Sequence, residues 1–286
     1  THQNIFVRPY NLFFESLDNP FGVPYGLIDG NFYDTFNTPK SYLLINLLYK
    51  TPEFILLFFI LFLFFIIKYK SFFQNNFTFF NSKIFLILMI LIFPNLLILI
   101  SPYRIFDGLR LFLYIIPYFC VIPALTIYYL IKNLKNKFSK IVLISIFPFF
   151  IYYIFIFLSL TPYHYTYLNI LNGENKYKYK KFENDYWGAS IKELVKNSNF
   201  KKSKKILIAT CGVSPEISKK YFKDKGLSNL KFVKDSEAEY IIMTNRTVSN
   251  NDVNQITNCF DKFEGSDVFI VTRNGLLLST IRKIYQ

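Results

Sequence analysis

The chain has 286 residues, 52% of them hydrophobic, with 35 Phe and 22 Tyr, and a formal net charge of +14. That apolar and aromatic content excludes an ordinary soluble domain, which has nowhere to shelter it. It is also uneven: residues 54 to 160 carry long uncharged runs and residues 161 to 286 a normal globular mixture, so two environments are implied. No cleavable signal peptide precedes the first apolar run, and a start at Thr1 leads us to expect a fragment of a longer protein.

A helix needs about 20 apolar residues to cross the hydrocarbon of a bilayer. In chain order, Tyr42 to Tyr49 is apolar but short and reads as an interfacial segment leading into the first span. The run Phe54 to Ile67 becomes long enough if its helix begins near Thr51, with Lys50 and Glu53 at the interface. Ile84 to Ser101, Leu111 to Ile131 and Ile141 to Leu160 are three uncharged spans, interrupted by Pro94, Pro117, Pro123 and Pro148, which kinked membrane helices tolerate.

Lys and Arg accumulate in short cytoplasmic loops. The loop with Lys68, Lys70 and Lys83 and the loop with Lys132, Lys135, Lys137 and Lys140 contain no acid and read as cytoplasmic. The loop with Arg104, Asp107 and Arg110 reads as external, as does the leading segment, where Glu15, Asp18, Asp29 and Asp34 oppose Arg8, Lys40 and Lys50. Four crossings then leave the tail domain exoplasmic. There the basic and aromatic stretch Lys176, Tyr177, Lys178, Tyr179, Lys180 and Lys181 touches anionic headgroups or lies solvated, and no nucleic-acid partner is expected.

The tail alternates in an α/β manner. We expect a helix from Ala189 to Asn197, a strand Lys205 to Thr210 and a helix Pro215 to Lys225 capped by Ser214. Strands are expected at Leu230 to Val233, Tyr240 to Thr244, Asp267 to Arg273 and, after a turn at Gly275, Leu276 to Ile281. The Cys211-Gly212 turn stands where open α/β sheets bind ligands, but it lacks a glycine-rich phosphate fingerprint and reads as a plain turn. Cys211 and Cys259 can pair in an oxidising compartment or stand as separate buried thiols, and we expect the second. Two histidines, His2 and His164, are too few for a metal cluster or a histidine-dependent triad, so no metal is expected and no cofactor is assigned.

Four external segments, in order, carry a resemblance. They are Asp29-Gly30 with Pro39, Tyr42 and Lys50-Thr51-Pro52; Tyr103 with Asp107-Gly108-Leu109-Arg110 and Pro117; Thr161-Pro162-Tyr163-His164-Tyr165 with Tyr167, Asn169 and Gly173; and Asp185-Tyr186-Trp187-Gly188. Together they resemble the carboxy-terminal half of the polyprenyl-phosphate-dependent glycosyltransferases of the GT-C superfamily, specifically the protein-mannosyltransferase-like group. The chain departs from that pattern at Leu111, where the family often has His, and at His164, where Gln is commoner.

The resemblance implies an integral membrane hexosyltransferase that moves a sugar from a polyprenyl-phosphate carrier to an exoplasmic glycan, lipid or protein, with inversion. The family's acidic base lies in an earlier external loop with no counterpart here, so the catalytic residues are expected outside this chain and the segment alone is expected to be inactive. A departing lipid phosphate gains charge, and cations at membrane depth stabilise it. Arg110 is the first candidate and Arg104 the second, with Asp107, Tyr163 and His164 as further substrate-binding candidates. Each has a plainer reading: a snorkelling arginine, an aromatic belt that also takes in Tyr165, Tyr167, Tyr186 and Trp187, a local ion pair for Asp107, and a histidine without an orienting partner.

The fold expected is a multi-pass α-helical membrane protein with a C-terminal exoplasmic α/β domain. Residues 1–50 form an external loop and interfacial segment, 51–160 the spans, and 161–286 the α/β domain. The location expected is a bacterial inner membrane with the tail on the periplasmic or extracellular side. Two rivals are a non-enzymatic anchored protein whose α/β domain binds a partner or envelope glycan, and a transporter, which the charge-free spans disfavour.

Overall fold

A computed structural model describes residues 23–100, 104–185, 187–200, 205–250 and 255–285. Arg8, Glu15, Asp18, Tyr103 and Tyr186 lie outside the described residues. The first elements are a hairpin absent from the sequence reading, β1 (Tyr25–Ile28) and β2 (Asn31–Asp34), paired antiparallel. Its two-residue turn, Asp29-Gly30, has φ of 47° and 81°, the left-handed pair that a tight hairpin of this twist requires.

Helix α1 (Tyr42–Lys50) is followed by α2 (Glu53–Lys68) at a bend of 116°. Pro52 drives the break: the residue before a proline is pushed out of the helical region, and Thr51 sits at φ −90°, ψ 136°. Nine residues reach only about 14 Å, too short to cross a bilayer. With Leu44 and Leu48 exposed and Tyr42, Leu43, Asn46 and Leu47 buried, α1 is a surface-lying amphipathic helix, as its sequence suggests.

Then follow α3 (Lys70–Asn76), α4 (Phe80–Ile100), a 3₁₀ turn (Arg110–Ile115) running into α5 (Ile116–Lys132), and α6 (Lys137–Ser159). Three of these helical stretches, or four counting the bent pair α1 and α2, are long and apolar enough to cross a membrane. Only 11% of the apolar windows of α4 and of α6 is buried within the chain, so most of their apolar surface is left uncovered by the rest of it. Helices α4 and α6 begin four residues before the uncharged runs because Lys83, Lys137 and Lys140 lie in their first turns, where long side chains reach back to the interface.

The bundle is sewn by aromatics. Phe59 stacks on Phe119 at 5.0 Å and Phe65 meets Tyr129 at 4.6 Å, so α2 and α5 run in the same direction. Thr126 Oγ1 donates to the Phe58 carbonyl at 2.8 Å, a polar link between the two helices inside an otherwise apolar contact. At their far ends Phe62, Phe65, Phe73, Phe80 and Tyr129 form one buried cluster that also captures α3.

The C-terminal domain contains α7 (Ile191–Asn197), β3 (Ile206–Cys211), α8 (Pro215–Asp224), β4 (Leu230–Phe232) and β5 (Tyr240–Thr244). These are followed by β6 (Thr247–Asn250), β7 (Gln255–Asn258), α9 (Cys259–Lys262), β8 (Gly265–Arg273) and β9 (Leu276–Ile284). Five strands form a mixed sheet in the order β4-β3-β5-β9-β8, with β3 parallel to β4 and β5 and the other pairings antiparallel. Helices α7 and α8 cover one face through Ile191, Leu194, Val195 and Phe222; Ile241, Met243, Cys259 and Phe260 fill the other. Ser214 caps α8 as expected, its hydroxyl accepting from Glu216 N at 3.2 Å.

Two expectations are corrected: Lys178, expected on headgroups or in solvent, is buried with its ammonium on the Leu168 and Asn169 carbonyls, and the cysteines are paired. Cys211 and Cys259 are joined in a disulfide, their Cα atoms 5.7 Å apart, rather than standing as separate thiols. The β6–β7 hairpin turns the chain back after β5 and leads into Cys259, and the pair's separation of 48 residues conceals the juxtaposition in the sequence. The chain is a membrane protein with an α/β domain.

Candidate functional site

The site forms where the loop before α5 meets the C-terminal domain. Asp107 and Gly108 both have positive φ, 60° and 64°, which turns the Asp107 carboxylate inward, where it is only 7% exposed. Oδ2 accepts from Arg110 Nη1 at 3.2 Å and Oδ1 from Arg246 Nη1 at 2.7 Å. Arg246 stands just after β5, its carbonyl accepting from Cys259 N at 2.9 Å, and its guanidinium also faces Glu183 at 3.6 Å. Glu183 in turn accepts from Thr247 N at 2.7 Å.

Lys50, at the end of α1, completes the cluster. Its ammonium packs beside Gly108 and lies 5.8 Å from the centre of the Phe182 ring. Tyr42 donates to the Gly108 carbonyl at 3.2 Å and Tyr33 to that of Ile105 at 3.0 Å, fixing the turn from the hairpin side. Three cations and two carboxylates thus share a half-dry space, with a surplus of one positive charge when all are ionised.

Burial sets the proton affinities. It pushes Lys50 down to about 8 against the pull of Glu183 and Asp107. It raises Glu183, an effect only partly offset by Arg246, and raises Tyr33. For Arg246, desolvation is outweighed by Glu183 and Asp107, so its charge is secure.

Arg110 is the open member of the cluster. Its side chain is 45% exposed and lies 4.4 Å from the ring centre of Trp187, itself exposed, at the start of the helical stretch Arg110–Lys132. An aromatic face below and a carboxylate beside it hold the planar fork while leaving donors toward solvent.

The other predicted residues go elsewhere. Arg104 lies over the Phe36 ring. Tyr163 is buried in the core of the C-terminal domain and donates to Glu193 Oε2 at 2.9 Å; Glu193 also holds Arg273. His164 stacks on Phe157 at 4.0 Å and has Nε2 3.1 Å from Thr161 Oγ1. Asp185 is consumed by Tyr165, by the backbone N–H groups of Ala189 and Ser190, and by the Ser190 hydroxyl.

The stretch from Tyr167 to Asn172 clasps the α1–α2 bend. Glu53 accepts from Tyr167 Oη at 3.0 Å and Ile170 N at 2.8 Å. Asn169 Nδ2 donates to the carbonyls of Leu48 and Thr51 at 2.6 and 2.9 Å, and Asn172 Nδ2 to that of Tyr49 at 3.2 Å. Lys178 closes the other side by donating to the Leu168 and Asn169 carbonyls, and burial pushes it down to about 8. Carbonyls freed at a helix break need partners, and these amides supply them.

Sequence reasoning missed Lys50, Glu183 and Arg246 as site residues. Lys50 stood only as part of the Lys50-Thr51-Pro52 segment of the resemblance, and Arg246 only as a lone Arg two residues after an apolar strand, which is too common to single out. No family model, curated protein or solved structure matches the chain.

Proposed function

We propose that this chain is the phosphate-side part of an integral membrane glycosyltransferase that takes a sugar from a polyprenyl-phosphate carrier and passes it to an exoplasmic acceptor. The observation that carries the reading is Arg110: a half-exposed guanidinium at the mouth of a membrane-length helix, held by Asp107 and Trp187, in a cluster with surplus positive charge. A lipid phosphate lies at that depth, and a fork of N–H donors suits its oxygens. The Cys211–Cys259 disulfide supports an exoplasmic, oxidising location for the domain, as does the acid-free lysine content of the opposite loops. Each carboxylate oxygen of Asp107 and of Asp185 already accepts a donor, and the reading assigns the catalytic base to sequence beyond these residues.

The test is sugar transfer from a labelled polyprenyl-phosphate donor by membranes holding the longer protein, with Arg110→Lys alongside. Lys keeps the charge and loses the bidentate fork, so turnover falls at least about tenfold at unchanged insertion. Unaltered kinetics remove Arg110 from the site. Transfer by the 286-residue chain alone overturns the assignment of the base.

A further inference from the structure

The end of the helical bundle remote from the α/β domain carries basic, neutral polar and aromatic groups and no acid. The ends of α2 and α5, the start of α4 and α3 meet there in one buried cluster with Phe65, Phe73, Phe80 and Tyr129, and α6 begins beside it with Phe138 6.4 Å from Phe65. Residues 68–83 and 132–140 bring seven lysines to this end and no Asp or Glu. All seven are exposed, and among the described residues none is paired with a carboxylate. Lys68 and Lys132 sit in last turns, where they offset the negative helix ends and lie over the rings of Tyr69 and Tyr128. Lys70, Lys83, Lys135, Lys137 and Lys140 have no such task.

A second observation points to the same ligand. Phe79, between α3 and α4, adopts φ of 55°, uncommon for a bulky side chain, and is 82% exposed. A chain that only needed to turn here would place a small or polar residue at this position. An aromatic ring held outward on the segment that carries Lys70 and Lys83 matches the boundary between acyl chains and phosphates, where apolar and cationic groups are both satisfied.

We infer that this end of the bundle binds anionic phospholipid headgroups, with Lys70, Lys83, Lys135, Lys137 and Lys140 on the phosphates and Phe79 seated at the glycerol level beneath them. The site is independent of the glycosyltransferase reading and lies across the membrane from Arg110. Each lysine near an anionic surface favours binding about fivefold, so the set selects strongly over a zwitterionic lipid.

The experiment reconstitutes the full chain into vesicles of phosphatidylcholine mixed with phosphatidylglycerol, re-extracts it, and measures the retained lipids by mass spectrometry. Phosphatidylglycerol should be enriched several-fold over its bulk share. The enrichment should fall toward the bulk ratio with Lys70, Lys83, Lys135, Lys137 and Lys140 all changed to Gln, and persist with Lys176→Gln and Lys180→Gln at the other end. Retention at the bulk ratio by the parent, or undiminished enrichment in the five-lysine variant, overturns the inference. If that variant fails to insert, added salt decides with the parent chain: headgroup pairing weakens as salt screens it, and salt-insensitive enrichment also overturns the inference.

Discussion

Arg246 Nη1 lies 2.7 Å from Asp107 Oδ1, a contact between residues 139 positions apart that joins the α/β domain to the loop feeding α5. The Arg246 side chain is 12% exposed and that of Asp107 6%, so neither can turn to water if the other is removed. Replacing Arg246 by Met should therefore cost about 3 kcal/mol, the toll of leaving Asp107 and Glu183 with only half-exposed Arg110 and desolvated Lys50. Adding Asp107→Asn should recover part of the loss, which a double-mutant cycle by denaturation in detergent measures. A single-variant change below about 0.5 kcal/mol would contradict a coupling role for this pair.

Alkaline pH should stabilise the fold. Burial holds Lys50 and Lys178 at about 8 in the folded chain against 10.5 when exposed. Between those values the unfolded chain binds more protons, so stability rises with pH across the window and the penalty is full below it. The melting temperature of Lys50→Met, compared with the parent between about pH 8 and pH 9.5, should show a shallower rise. Parallel curves would place the Lys50 ammonium in contact with water.

Gly108 and Gly173 separate two costs. Both have positive φ, 64° and 79°, but a Cβ on Gly108 collides with the Lys50 ammonium, whereas one on Gly173 meets nothing. Gly173→Ala should lose about 2 kcal/mol from backbone strain alone, since φ 79° with ψ −152° is a region essentially reserved for glycine, whereas Gly108→Ala should also weaken binding of the proposed donor through the displaced Asp107-Arg110 turn. Unchanged donor binding in Gly108→Ala would show that Lys50 moves aside freely.

Topology is open to thiol labelling. Ser198 is buried and bonded to the Val195 carbonyl, so the reporter for the α/β domain belongs at exposed Ser236. In a Cys120→Ala background, with Cys211 and Cys259 paired, an impermeant maleimide applied to intact cells should modify Ser236→Cys and spare Lys135→Cys. The reverse pattern would invert the orientation and remove the exoplasmic reaction with it.

The apolar helices were legible because a bilayer imposes length and charge rules that survive in a single sequence, and the strands of the C-terminal sheet because each is a short apolar run between turn residues. The β1–β2 and β6–β7 hairpins escaped because four residues are too few to show alternation. Of the site, Asp107 and Arg110 were visible through their place beside a span. Arg246 joins them through a contact across 139 positions and Glu183 joins through Arg246 across 63, and Lys50 reads in sequence as an interfacial charge. Tyr163 was read as interfacial, and a hydroxyl pointed at Glu193 within a core is indistinguishable in sequence from one pointed at water.

The clasp on the α1–α2 bend has a consequence for how the chain enters a membrane. Tyr167 and Asn172 emerge 114 and 123 residues after the groups they grip. Helix α2 alone reaches about 24 Å, less than the hydrocarbon, and only by straightening into α1 would it gain a full crossing. A newly made chain has nothing to forbid that except Pro52. The clasp that holds the bend therefore cannot close until the residues after α6 have been made, when the Asn169 and Asn172 amides reach the Leu48, Tyr49 and Thr51 carbonyls.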